Sequence, residues 1–275
     1  MRRLAVSLPI LLIMPLIVYL AICAAVYFGQ AAMLFPAGQV GPPDPLPPRA
    51  ERLEIAAASG ERLRGVHIPP ARRSRERLLI LGFGGNGWNG QTVAIFLAEL
   101  FPEADVVVFH YRGYAPSQGR AGAAALIEDA PLIHDFARAR LRPARTVAVG
   151  FSIGGGVAAA LAARRPLDGL ILVTPFDSLA RVAAGHYPWL PVRLLFRHAM
   201  EPIRDLAGNA TPVAIIAGGR DTLIPAARTQ PLRLSIANLV FDRTIEEAGH
   251  NDIYGNPAFR PAIRDALAGM RRQSS

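Results

Sequence analysis

Between residue 78 and residue 246, short apolar runs recur at a nearly regular interval, and their order limits the chain more than any other feature. The runs are LLILGFG (78–84), DVVVFHY (105–111), TVAVGF (146–151), LDGLILVT (167–174), PVAIIAGG (212–219) and LVFDRTIE (239–246). Several are continuously apolar, as strands covered on both faces of a parallel sheet must be. Segments with helical spacing lie between and after them, at 92–100, 122–141, 154–165, 226–236 and 258–270. Strand and helix in repetition require right-handed crossovers and give a doubly wound sheet, whose ligands sit beyond the carboxyl ends of the strands. A preceding segment, LEIAAASGERLRGVHI, turns at Ser59 and Gly60 and reads as two antiparallel strands.

The first thirty residues belong to a different solvent. Residues 4–28 carry no charge, long enough as a helix to cross a hydrocarbon core of about 30 Å. Pro9 and Pro15 are tolerable in such a helix, and Tyr19, Tyr27 and Phe28 supply partial interface anchors. A cleaved signal peptide is the rival reading, with Arg2 and Arg3 as its basic start and small residues at Ala24, Ala25, Ala31 and Ala32. The run exceeds a typical signal core, so an uncleaved signal anchor is expected at 1–30, single-pass, with the arginines holding the N-terminus in the cytoplasm. The remainder then lies on the far side, which in a bacterium is the periplasmic side of the inner membrane. Residues 36–48, PAGQVGPPDPLPP, read as a stiff extended tether, so 31–50 is assigned as tether and 51–275 as one catalytic-sized domain.

Charge and cysteine content exclude several classes. The formal net charge is +9, written wholly in arginine, and reads as a solvated surface; no nucleic-acid partner is expected. The single cysteine, Cys23, rules out an intrachain disulfide, a cysteine zinc site and a thiol redox pair.

The chemistry-bearing stretch is Gly150-Phe151-Ser152-Ile153-Gly154, a G-x-S-x-G lying after one strand and before an alanine-rich helix. Such an elbow strains the serine backbone, and side chains at 150 or 154 collide with the neighbouring strand or helix. A serine hydroxyl is a poor nucleophile without a base, and the base needs an acid to hold its tautomer. His250, in EEAGHND just after the last strand, is the expected base. Asp221, in AGGRDTLIP after the penultimate strand, is the expected acid, with Asp177 as runner-up. His67, His110 and His134 fall in elements and are expected to pack; His186 and His198 fall in the lid segment, where packing is the expectation and contact with substrate the alternative. An oxyanion needs two backbone N–H donors, expected at Ile153 and at Asn86 in the glycine-rich GFGGNGWNG loop. That loop lacks the spacing and the lysine of a phosphate-binding loop.

These phrases together resemble the α/β-hydrolase superfamily, and within it the membrane-anchored serine aminopeptidase-like branch that includes bud-emergence-related proteins and protein depalmitoylases. The likeness runs over roughly residues 33–270 and rests on MLFPAG, GGNGWN, YRGYAPSQG, GFSIGG, PFDSL, GGRDTLIP and AGHND, in that order. It implies an α/β-hydrolase fold, a catalytic Ser152, Asp221 and His250, an oxyanion hole at Asn86 and Ile153, and no metal or organic cofactor. One departure stands out: the branch has a loop histidine where this chain has Gly84, which puts the bracing of the oxyanion loop in question.

Residues 176–202 read as a small helical lid, in which Tyr187, Trp189, Leu190 and Leu194 are candidates for an acyl pocket. A small-molecule or lipid-like acyl ester or thioester is therefore the expected substrate. Two rivals stand beside it: an aminopeptidase or amidase, gripping a free amine with Asp177 or Glu201, and a binding protein without catalysis. Oligomeric state is not legible.

Overall fold

The computed structural model describes residues 8–72, 74 and 76–271; Arg2, Arg3 and the start of the uncharged run, residues 4–7, lie outside the described residues. The chain opens with helix α1 (Leu8–Leu34). Strands β1 (Glu51–Ala56) and β2 (Arg62–Ile68) form the hairpin, followed by β3 (Leu78–Phe83), α2 (Gly90–Leu100), β4 (Asp105–Phe109) and α3 (Ala123–Leu141). Next come β5 (Arg145–Phe151), α4 (Ile153–Ala162), β6 (Gly169–Val173) and the lid helices α5 (Leu179–His186), α6 (Val192–Leu195) and α7 (Pro202–Asp205). The chain closes with β7 (Val213–Gly218), α8 (Ala226–Ser235), β8 (Leu239–Ile245) and α9 (Phe259–Arg271).

The strands make one sheet of eight in the order β1-β2-β4-β3-β5-β6-β7-β8, with β2 antiparallel to both neighbours and every later pairing parallel. Alternation along each strand sends side chains to two separate cores. In β3, Leu79 and Leu81 join the core under α3, α4 and α8, while Leu78 and Ile80 join that under α2 and α9. Burial on both faces is why the strands are apolar throughout; Leu79, Ile80 and Leu81 are fully enclosed.

Helix α1 contains one stretch, Ile13–Leu34, long and apolar enough to cross a membrane. Its C-terminal end does not stand apart. Phe35 is 3% exposed within the first core. The proline-rich segment after it opens on a 3-10 turn at Ala37–Gln39, not the extended chain expected there, and is then strapped to the start of α2: Asn89 Nδ2 donates to the Gly41 carbonyl at 3.3 Å and Gln91 Nε2 to that of Asp44 at 2.5 Å.

Candidate active site

Ser152 sits at the turn from β5 into α4 with φ 51° and ψ −116°, a left-handed conformation that a non-glycine residue adopts at a cost of about 1–3 kcal/mol. The surroundings impose it: Ser152 N donates to the Val173 carbonyl at 2.9 Å, and Gly155 N to that of Ser152 at 2.8 Å. Neighbouring backbone leaves no room for side chains. A Cβ at Gly150 would lie 2.5 Å from the Gly154 carbonyl oxygen, and one at Gly154 would lie 2.1 Å from that of Phe83. The turn is that tight because β3, β5 and α4 converge on it.

Asp221 follows β7 and His250 follows β8, so both reach the same edge of the sheet as Ser152. Their loops approach closely at Gly218, where a Cβ would be 2.6 Å from the Ala248 carbonyl oxygen. Arg220 N donates to that carbonyl at 2.9 Å. His250 Nδ1 lies 2.7 Å from Asp221 Oδ2, and Nε2 lies 3.0 Å from Ser152 Oγ. The other carboxylate oxygen accepts from Ile224 N at 2.7 Å, which fixes the carboxylate plane. With Nδ1 donating to the carboxylate, Nε2 is the acceptor facing the serine. An alcohol so connected can lose its proton to the imidazole as it bonds to an electrophilic carbon. Asp221 and His250 side chains are 3% and 9% exposed, so their attraction is little screened by water.

Asn86 and Ile153 border the same space as Ser152. Ile153 is the first residue of α4, so its N–H has no carbonyl to meet inside the helix. The Asn86 loop is braced from beneath: Tyr111 donates its hydroxyl to the Gly84 carbonyl and Tyr114 to that of Asn86, each at 2.7 Å. Burial pushes both phenols up from their ordinary range, so both stay protonated and remain donors. The segment that carries them is anchored by a buried ion pair, with Arg112 Nε donating to Asp129 Oδ2 at 3.1 Å. Trp88, Phe151 and Tyr254 pack together just below, with ring centroids 4.6–5.8 Å apart, and so join the loops after β3 and β8 to the end of β5. These bracing residues escaped the sequence reading. The two tyrosines of YRGYAPSQG were the available signal.

A cavity of about 320 Å³ opens from Ser152 under the lid. Tyr187 and Leu190 line it; Trp189 and Leu194 do not. The Leu190 N–H bonds back to the Tyr187 carbonyl at 3.0 Å, a turn that buries Leu190, leaves Tyr187 at the cavity's exposed rim and turns Trp189 out to 53% exposure; Leu194 is 83% exposed. His186 lines the cavity with Nε2 2.8 Å from the Leu223 carbonyl oxygen. Four cavity residues, Val26, Gln30, Met33 and Leu34, come from α1; MLFPAG marked the last two, but nothing in the sequence placed them at the cavity.

Asp177, the runner-up acid, is fully buried and bound by Arg181 at 3.1 Å and Arg228 at 3.3 Å. Glu201 accepts from the Ser178 hydroxyl at 2.7 Å. The PFDSL phrase thus ties the lid to α8. Three other histidines have partners of their own: His67 meets Asp105 at 2.8 Å, His134 meets Asp135 at 2.8 Å, and His198 packs on Phe35 at 5.3 Å; His110 is buried.

Comparison with known proteins agrees with this architecture. Residues 78–205 match the alpha/beta hydrolase fold family, and the uncharacterized protein Rv2307c of Mycobacterium tuberculosis is 32% identical over 218 residues, 78% of each chain. The chain belongs to the alpha/beta hydrolase fold family. Among solved alpha/beta hydrolases, the esterase Pf2001 of Pyrococcus furiosus superimposes with a TM-score of 0.65 at 16% identity, covering 84% of this chain and 97% of that one. A shorter likeness is to the lysophosphatidylserine lipase ABHD12 of Danio rerio, 32% identical over 98 residues, 34% of this chain and 25% of that protein.

Proposed function

We propose that this alpha/beta hydrolase is a membrane-anchored serine hydrolase that cleaves a carboxylic ester or thioester through an acyl-enzyme. The reading is carried by one observation: Ser152 Oγ lies 3.0 Å from His250 Nε2, whose Nδ1 is 2.7 Å from Asp221. In this mechanism Ser152 Oγ bonds to the acyl carbon while its proton passes to His250 Nε2. The carbonyl electron pair moves to oxygen, and the backbone N–H groups of Ile153 and Asn86 hold that charge. The pair returns, the bond to the alkoxide or thiolate breaks, and the leaving group takes the proton from His250. Water then attacks the acyl-enzyme with His250 as base, and the carboxylic acid leaves as Ser152 recovers its proton.

An apolar cavity beside the serine, and the ester-lipid activity in the name of the ABHD12 relative, favour an acyl chain as the substrate's apolar part. An amidase gripping a free amine has less support, because the carboxylates of Asp177 and Glu201 already have partners. On this reading α1 is a retained anchor and the catalytic domain lies outside the cytoplasm.

The test is covalent labelling by a small fluorophosphonate, comparing the wild type with Ser152→Ala. Labelling of the wild type alone is expected. Equal labelling of both, or of neither, rejects the mechanism.

A further inference from the structure

An anchor has no need of a buried glutamine, yet α1 has one. Gln30 is 6% exposed; its Nε2 donates within the helix to the Tyr27 carbonyl at 2.9 Å, and its other partners lie in the lid. Its Nε2 donates to the Leu195 carbonyl at 3.0 Å, and its Oε1 accepts from Arg197 N at 2.8 Å. Those backbone groups stand at and just past the C-terminus of α6, where a helix leaves its own groups unpaired.

Gln30 is one point in a longer seam. The Tyr19 hydroxyl donates to the Trp189 carbonyl at 3.0 Å, Cys23 packs on Leu190 and Val192, and the Arg197 guanidinium lies 5.0 Å from the Tyr27 ring centre. The contact therefore runs along α1 from Tyr19 to Leu34, beyond what a tether to the bilayer needs. A bilayer takes about 20 residues of helix. The 27 residues of α1 exceed that, and its last turns lie against the domain.

Those last turns do more than hold the lid. Val26, Met33 and Leu34 form one wall of the cavity whose other walls come from the lid and whose end is Ser152. Around the seam, Phe28, Trp189 and Leu194 are 78%, 53% and 83% exposed, with Arg193 and Arg197 exposed among them, an aromatic and cationic fringe suited to lipid headgroups.

We infer that α1 is part of the substrate site: its last turns form the wall against which the acyl chain lies, and its side chains set the chain length accepted. The inference rests on the serine-hydrolase reading and adds a specificity role for the anchor. Bulk introduced at positions 26 or 33 shortens the pocket. Excluding two methylenes or more lowers preference for long chains at least tenfold.

The experiment uses the full chain in detergent micelles. A long-chain alkyl fluorophosphonate with a diazirine at its far end is attached to the enzyme, irradiated, and the protein digested with trypsin. Because Arg3 and Arg49 are consecutive cleavage sites, all of α1 falls in the peptide 4–49. Cross-links from the peptide holding Ser152 to 4–49 are expected; cross-links confined to other peptides overturn the inference. In parallel, Val26→Trp and Met33→Trp should lower the ratio of kcat/KM for dodecanoyl over butanoyl nitrophenyl esters at least tenfold, and a smaller change overturns it. Should either variant misfold, the photolabel on the native chain decides. Failure of the small fluorophosphonate to label the native chain defeats both readings, whereas labelling of Ser152 with no cross-link to 4–49 defeats this one alone.

Discussion

The hydroxyl of Tyr111 donates to the carbonyl of Gly84 across 2.7 Å. Position 84 is the glycine at which the sequence resemblance implies a histidine, and this bond holds the loop from below. There is little space for a larger residue: a Cβ at Gly84 would lie 2.9 Å from Val93 Cγ2. Tyr114 repeats the arrangement two residues on, at the Asn86 carbonyl. The loop is held through its backbone, so its amides are aimed without a side chain of its own.

Removing either hydroxyl should therefore weaken catalysis more than binding. Tyr111→Phe and Tyr114→Phe are each expected to lose a hydrogen bond worth about 1 kcal/mol, a fall of about fivefold in kcat, with KM within about twofold. Steady-state kinetics on a chromogenic butanoyl ester checks this. Unchanged kcat in both variants would show that the bonds do not position the loop.

Adjacent glycines of the elbow should respond in opposite ways. Gly154→Ala sets a Cβ 2.1 Å from the Phe83 carbonyl oxygen, backbone that cannot step aside, and should cost about 3 kcal/mol or more. For a domain of this size the loss appears as a fall of about 10 °C in Tm. Gly155→Ala meets nothing nearer than 3.6 Å and adds helix propensity of about 1 kcal/mol, so its Tm should hold or rise. Thermal unfolding of the two variants side by side separates steric exclusion from a general intolerance of change.

Acid sensitivity should trace in part to His110. Burial, with a smaller contribution from Arg52, holds its imidazole down at about 4. An unfolded chain takes up that proton near pH 6.5, the folded chain only near pH 4. Stability is therefore complete above about pH 6.5 and is lost as pH falls from there to 4, by up to about 3 kcal/mol. His110→Gln should flatten the fall of Tm between pH 6.5 and 4.5. An unchanged slope would assign the sensitivity to other groups.

Topology admits a direct readout. With α1 as an uncleaved anchor and its basic start in the cytoplasm, alkaline phosphatase fused after residue 275 should be active in a bacterial host, and the fusion should resist carbonate extraction from membranes. An inactive fusion reverses the orientation; release by carbonate removes the anchor.

The succession of strands along the chain was legible because strands buried on both faces must be apolar at every position, which leaves runs such as 78–84 and 212–219 unmistakable. Ser152, Asp221 and His250 were legible because each follows a strand and lies among glycines that let loops approach. Trp189 shows the limit. It shares composition with Tyr187 and Leu190, yet a single turn between 187 and 190 sends it outward.

By itself the sequence determined the order of elements, the uncharged N-terminal helix and the three loops in which a serine, a carboxylate and an imidazole stand. These follow from local rules: hydrophobic period, glycine spacing, and chain order along a parallel sheet. Only the tertiary structure decided that the loops meet at 2.7 Å and 3.0 Å, that Tyr111 and Tyr114 reach the loop at 84–86, and that Gln30 closes α1 onto the lid. Gln30 and Leu195 are 165 residues apart in the chain, and no local pattern records which distant carbonyl a buried amide will find; packing of the whole molecule does.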